Sequence, residues 1–252
     1  MELLLCNVLS STRIALYSDF ERPLSLTELA KLRTYVRRIA QHEPLQYVLG
    51  EASFYSLTFE VTPDVLIPRP ETEFLVEAGI SVSKKVHSCL DIGTGSGAIA
   101  ICIAKHAPNT QWLCVDKSTH ALAVAERNAI RQNVTQQCTF QQMDILAQAP
   151  SQKFDLICMN PPYVSAHDVV QLEPVVRDYE PHIALTDDAD GLTFYRRLAD
   201  LASTILADRG TILLEIGWGQ SAAVQKIFNE IGRITIVNDL ADIPRVLKVD
   251  NV

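Results

Sequence analysis

Apolar positions in the first forty-odd residues recur at helical spacing: Leu3, Leu4, Val8 and Leu9, then Leu26, Leu29, Ala30, Leu32, Val36 and Ile39. Ser25 or Thr27 can cap the second run, with Glu28, three residues after Ser25, as the capping-box acid. From Tyr47 to Leu66 the pattern changes. Leu57, Phe59 and Val61 alternate with polar residues, and a β-hairpin is predicted. Pro63, Pro68 and Pro70 then punctuate the chain. Beyond them, strand-like and helix-like runs alternate: Ser88–Ile92, Ala98–Ala104, Trp112–Asp116, a helix beginning near Ser118, and Phe154–Met159. After a long loop come a helix over Gly191–Leu206, a strand over Thr211–Ile216, a helix near Ala222–Ile231, and two strands, Ile234–Val237 and Val246–Val249. This alternation predicts an α/β fold with a doubly wound, mostly parallel sheet. The expected organisation is a helical domain over 1–45, a hairpin linker over 46–67 and the α/β domain over 68–252. No internal repeat is visible.

The run Phe154–Met159 ends in Asn160-Pro161-Pro162-Tyr163. A carboxamide, two rigid imides and a phenol thus sit at the C-terminal end of a buried strand, the edge where open α/β sheets bind ligands. The two prolines fix φ and bring no N–H of their own, so the loop is stiff. The Asn160 side-chain oxygen and the Pro161 main-chain oxygen could each accept one N–H of a flat NH2-bearing target. The nitrogen lone pair would then point out of the plane, towards an electrophile. Tyr163 could stack on that target, a contact worth roughly 1–3 kcal/mol when the partner is a base. The bland alternative is a proline-rich turn.

Upstream, Ser88–Ile92 runs into Gly93-Thr94-Gly95-Ser96-Gly97 and then a helical segment. Glycines permit positive φ and close approach of a ligand to the backbone. Asp116 ends the next strand, where an acid could take both ribose hydroxyls of a nucleoside cofactor. Its alternative role is to cap the next helix. The glycine loop and Asp116 together indicate an adenosine-bearing cofactor. Asn160-Pro161-Pro162-Tyr163 selects among these, because neither hydride nor phosphoryl transfer needs a presented NH2 group and methyl transfer does. S-adenosylmethionine is the cofactor expected.

The chain resembles the HemK/PrmC family, protein-(glutamine-N5) methyltransferases that modify peptide chain release factors. The resemblance covers nearly the whole sequence. It rests on Pro44–Gly50, Phe54, Phe59, Val65–Glu73, Asp91–Gly97, Val115-Asp116, Asn160–Tyr163, Glu180-Pro181, Asp190–Leu192 and Leu214–Gly217. Asn-Pro-Pro-Tyr is shared with adenine-N6 methyltransferases, whereas Ile67-Pro68-Arg69-Pro70-Glu71-Thr72-Glu73 is far more specific. The resemblance implies a seven-stranded Rossmann-like methyltransferase sheet and a substrate-recognising N-terminal domain. It also implies a substrate, the glutamine of the Gly-Gly-Gln loop of class I release factors. Asn160, Pro161 and Tyr163 would serve catalysis, with Pro162 at the substrate. Gly93, Thr94, Gly95, Ser96, Gly97, Asp116, Asp144, Ile145 and Asn160 would hold the cofactor, Asp144 and Ile145 at its adenine. Asp91 could reach the methionine part or be purely structural. Arg69 and Glu71 could line the site or form an ion pair. The alternatives are adenine-N6 methylation of a nucleic acid, glutamine methylation of a ribosomal protein, and a non-catalytic S-adenosylmethionine-binding module. Against the family pattern, the N-terminal domain looks short, Ala207-Asp208-Arg209-Gly210 replaces a Pro-Gly-Gly turn, and Pro244 is unusual.

Composition narrows the partners. The 252 residues are 48% hydrophobic with a net charge of −8. Residues 1–45 carry six basic and five acidic side chains, +1, which leaves −9 for the remainder. That balance argues against stable nucleic-acid binding, which needs clustered cations. The Lys31–Arg38 cluster could face an acidic partner, or be a solvated helix face. Six cysteines and six histidines show no ligand spacing, so no metal and no disulfide is expected, in a reducing cytoplasm. Asp187–Gly191 resembles a calcium loop but lacks the downstream ligands. Leu3-Leu4-Leu5-Cys6 lacks the basic start and length of a leader, and no apolar run could span a membrane. A monomer is expected.

Overall fold

The computed structural model describes residues 1–251. Four helices open the chain: α1 (Glu2–Leu9), α2 (Arg13–Ser18), α3 (Leu26–Ala40) and α4 (Leu45–Leu49). Ser25 and Glu28 form the capping box at the start of α3. The hairpin comes next, as β1 (Glu51–Phe54) and β2 (Leu57–Glu60). It is shorter than the alternation suggests, because Tyr47–Leu49 close a helical turn that Gly50 ends at φ 77°. Tyr55 and Ser56 make the two-residue turn with φ of 47° and 60°, a left-handed pair usually given to Asn-Gly. Glu73 holds that turn by accepting from the Tyr55 N–H at 2.8 Å.

The remainder is α5 (Thr72–Ser83), β3 (Ser88–Ile92), α6 (Ala98–His106), β4 (Gln111–Asp116), α7 (Thr119–Gln132), β5 (Cys138–Gln142) and β6 (Phe154–Met159). Three short helices, α8 (Ala166–Val169), α9 (Pro174–Arg177) and α10 (His182–Leu185), occupy the stretch expected to be a long loop. Then come α11 (Thr193–Ile205), β7 (Leu206–Glu215), α12 (Ser221–Phe228), β8 (Arg233–Asn238) and β9 (Pro244–Asp250). The seven-stranded sheet runs β5-β4-β3-β6-β7-β9-β8. β9 is antiparallel to both its neighbours, and the other pairings are parallel. The fold is the mostly parallel, doubly wound one that the alternation predicts.

Successive strand residues go to opposite layers, as the two-residue period of a strand requires. Cys89, Leu156, Cys158 and Leu213 pack with α5 and α6 on one face. Leu90, Ile157, Ile212 and Leu214 pack with α11 and α12 on the other. Cys89, Cys102, Cys114 and Cys158 are all fully buried in the first of these layers. Helix α5 is not marked in the sequence pattern. Its apolar residues extend round much of the helix, because it is wedged between α6 and the sheet, and Gly79 lies where any side chain would meet Ile103. No helix among the described residues is long and apolar enough to cross a membrane.

Side chains of α7 fasten the hairpin: Gln132 Nε2 donates to Thr58 O at 2.8 Å, and Asn128 ties the hairpin to the glycine loop. Asn128 of α7 is fully buried, and its Oδ1 accepts from the Glu60 N–H at 2.7 Å. Its Nδ2 donates to Glu60 O at 3.0 Å and to Ser96 O, in the glycine loop, at 2.9 Å. An unpaired buried backbone group costs roughly 1–3 kcal/mol. Asn128→Ala is therefore expected to lower stability by about 2–3 kcal/mol, seen as a lower urea midpoint at unchanged slope. An unchanged midpoint would mean that these bonds do not fasten the hairpin.

Candidate active site

Ile92 of β3 pairs with Val115 of β4 on one side and with Met159 of β6 on the other. Gly93–Gly97, Asp116 and Asn160 therefore leave the sheet side by side. Strand order reverses here, and open α/β sheets bind ligands at such a switch point. A cavity of about 260 Å³ lies over it.

Gly93, Gly95 and Gly97 adopt φ of 69°, 55° and 81°. A Cβ at Gly93 would meet nothing within 4 Å, and one at Gly95 would meet only Gly93 O at 3.9 Å. The loop surface is thus open to a ligand, while Gly97 is needed for packing against Ile101 and Ala125. Gly93 and Thr94 N–H groups both reach Val115 O, at 2.8 and 3.0 Å. Gly95 N–H donates to Asp116 Oδ2 at 2.9 Å, and Ser118 N–H to Asp116 Oδ1 at 2.9 Å. Burial pushes the Asp116 pKa up, and these N–H groups with that of Lys117 oppose the shift. Ser118, not Asp116, caps α7 with its hydroxyl. Asp116 is left with its remaining lone pairs at the cavity wall.

Asp144 and Ile145 form another stretch of that wall. Lys117 Nζ lies 3.0 Å from Asp144 Oδ2 and holds its carboxyl below the usual range. Ile145 is buried, and its carbonyl accepts from Arg197 Nε at 2.8 Å. Val115, Met143 and Met159 complete an apolar flank.

Across the cavity stand Asn160, Pro161 and Pro162. Asn160 Nδ2 donates to Thr72 Oγ1 at 3.2 Å. Its Oδ1 accepts nothing from the described residues, nor does the Pro161 carbonyl. Asn160 Oδ1 is not sealed from solvent, and Pro161 belongs to the cavity lining. Two open acceptors therefore face a site that also holds the glycine loop. Tyr163 is placed differently from the sequence expectation. Its ring is not part of the cavity lining; its hydroxyl donates to Glu215 Oε1 at 3.3 Å, and its carbonyl accepts from Gln220 Nε2 at 2.9 Å. The phenol braces the end of β6 against β7.

Asp91 lies beneath the glycine loop, outside the lining. Its Oδ2 accepts from the Thr94 hydroxyl at 2.7 Å, its Oδ1 has no partner, and burial raises its pKa to about 7. Arg69 does line the cavity, and it pairs with Glu180 rather than with Glu71. Glu180 Oε2 also accepts from Ile67 N–H at 3.2 Å, so the segment before α5 is tied to the segment after β6. Thr72, Pro181, Ile183, Thr186, Asp187 and Phe194 also line the cavity, and the sequence pattern gives them no role. Glu180-Pro181, the Ile67–Glu73 segment and Asp187–Gly191 are the stretches of that wall that the sequence singles out. Among the described residues no cluster of His, Cys, Asp or Glu could hold a metal ion.

These residues fit S-adenosylmethionine. An open glycine backbone, an acid with free lone pairs and an apolar flank match the methionine, ribose and adenine parts in kind. A model of the methyltransferase small domain matches residues 70–175, and one of the PrmC N-terminal domain matches residues 1–50. The chain is 42% identical to the release factor glutamine methyltransferase of Geobacter sulfurreducens, over 92% of this chain and 81% of that one. It is 39% identical to that of Thermodesulfovibrio yellowstonii, over 97% and 89%. Among solved structures, a methyltransferase from Pyrococcus furiosus superposes with a TM-score of 0.58 at 15% identity, over 86% of this chain and 98% of that one. The hMettl16 catalytic domain in complex with a 3′UTR hairpin does so at 0.61 and 13%, over 89% and 82%. At such identities the structures speak for the fold, and the sequence relatives decide the family: the chain belongs to the release factor glutamine methyltransferases.

Proposed function

We propose that this protein transfers a methyl group from S-adenosylmethionine to the side-chain amide nitrogen (N5) of the glutamine in the Gly-Gly-Gln loop of class I release factors. The observation that carries the reading is the pair of open acceptors, Asn160 Oδ1 and Pro161 O, in one cavity with the glycine loop.

An amide nitrogen is a poor nucleophile, because its lone pair is delocalised into the carbonyl. When bound, S-adenosylmethionine supplies an electrophilic methyl group on a sulfonium. Gly93, Thr94, Gly95, Ser96 and Asp116 would hold it, with Asp144 and Ile145 at the adenine end and Gly97 packed beneath the loop. Asn160 Oδ1 and Pro161 O would each accept one N–H of the glutamine carboxamide and fix its plane. Orientation of this kind contributes roughly 7–11 kcal/mol to a two-reactant step. Pro161 and Pro162 keep the acceptors stationary. Methylation leaves the amide nitrogen cationic and acidic, so it needs no dedicated base to shed its proton. The proton therefore leaves to water. Tyr163 acts by bracing the loop through Glu215. Residues 1–45 are assigned to substrate recognition. The acid excess outside them, −9, favours a protein target over a nucleic acid. Release factors place the reaction in the cytoplasm, in keeping with six free cysteines, and the chain is assigned as a monomer.

Asn160→Ala is expected to lower kcat by at least about a hundredfold, the scale for one preorganised hydrogen-bonding group, with cofactor affinity within a few-fold. Calorimetric titration with the cofactor reads the second half; loss of binding there would sink this division of roles. Gly95→Val puts a branched side chain into the open loop and is expected to abolish cofactor binding. Normal binding by that variant would remove the loop from the cofactor site. The substrate is tested by peptide mass spectrometry of a purified class I release factor incubated with the protein and S-adenosylmethionine. One added methyl on the Gly-Gly-Gln glutamine, absent with Asn160→Ala, is the result expected. No added methyl, with the cofactor shown to bind, would overturn the substrate assignment.

A further inference from the structure

An asparagine carboxamide has two ends of nearly equal shape, an acceptor oxygen and a donor NH2, and the surrounding hydrogen bonds decide which end points where. The site requires Oδ1 to face the cavity. Presented the other way round, Asn160 would offer donors to a target that itself has only N–H groups to give. The Thr72 hydroxyl takes the Nδ2 end at 3.2 Å. A hydroxyl alone does not fix the direction, because it can equally donate to Oδ1. Its own proton has to be committed elsewhere. Beside it lies the Glu215 carboxyl at the end of β7, with only 2% of the residue exposed and Oε2 without a partner.

We propose that Thr72 and Glu215 are positioning residues that set the orientation of the Asn160 carboxamide. Ionised Glu215 is acceptor-only, so it draws the Thr72 proton to itself. Thr72 then accepts from Asn160 Nδ2, and Oδ1 is left to the substrate. Protonated Glu215 can donate to Thr72, and the chain of bonds loses its direction. Thr72 and Glu71 from the start of α5, Tyr163 after β6, Tyr195 on α11 and Arg245 on β9 surround the carboxyl. Burial raises its pKa to about 7; Thr72 and Tyr163 oppose the rise, Glu71 adds to it and Arg245 lowers it. The ionised form is therefore lost as pH falls through that region, and turnover should fall with it.

The inference rests on the reading of Asn160 given above, and the test separates the two. Steady-state kinetics on a purified release factor would compare wild type, Thr72→Val, Thr72→Ser, Glu215→Gln and Asn160→Ala between pH 6 and 9. Thr72→Val is expected to lose about a hundredfold in kcat, the scale for a misplaced reacting group, with cofactor KM unmoved. Thr72→Ser restores kcat. Wild type is expected to lose kcat as pH falls through about 7, and Glu215→Gln, close in shape and unable to ionise, is expected to lack that acid limb. Wild-type kcat in Thr72→Val, or an acid limb that survives in Glu215→Gln, overturns the inference while an inactive Asn160→Ala leaves the site reading standing. Full activity in Asn160→Ala overturns both. If Thr72→Val fails to fold, the Glu215→Gln profile decides.

Discussion

The parallel pairing of β3 with β6 is the constraint on which the rest depends. Cys89 to Ile92 lie against Leu156 to Met159 residue for residue. The two strands therefore end level, and the glycine loop after one and the asparagine after the other are delivered to one place. These strands are adjacent in space yet some sixty residues apart in the chain, with two further strands wound to the far side of β3 between them. A one-residue slip in this register would invert the faces of β6 and move Asn160 off the edge. The fully apolar burial of Leu156–Met159 on both faces holds it in place.

Around that pairing the site is held by buried polar contacts that reach across the chain. Asn128 joins the hairpin to the glycine loop, Glu180 joins the segment before α5 to the segment after β6, and Glu215 stands behind Tyr163 and Thr72. Each is a polar group removed from water, and each is costly unless partnered. In the first two the partners are supplied in full. Asp91 and Glu215 each keep one oxygen unpaired. An incompletely satisfied carboxyl concentrates at functional sites more often than in ordinary cores.

Much of this is legible in the sequence. Strand and helix periods give the α/β alternation, and the two loops that matter are punctuated by glycine and proline, whose conformational rules are strict. Helix α5 escapes because burial on several sides erases its amphipathic stripe. The short helices α8 to α10 escape because four residues carry no period. Tyr163 shows the limit most clearly. Its position in the motif suggests a stacking ring, but the direction of a side chain after two prolines is set by its neighbours in the fold, here Glu215 and Gln220. Thr72 is visible only as part of a motif, since its value lies in a contact with a residue 88 positions away.

Five of the six thiols lie in the layer between the sheet and the helices α5 and α6, and burial pushes four of them, Cys89, Cys102, Cys114 and Cys158, up, away from thiolate. Since the thiolate is the reactive species, these sulfurs are inert towards oxidants and alkylating reagents for as long as the layer stays closed. They are inside the same packing that levels β3 with β6. Chemical damage to them therefore comes after unfolding and does not precede it. The oxidative lifetime of the enzyme is in effect a measure of how rarely its central layer opens.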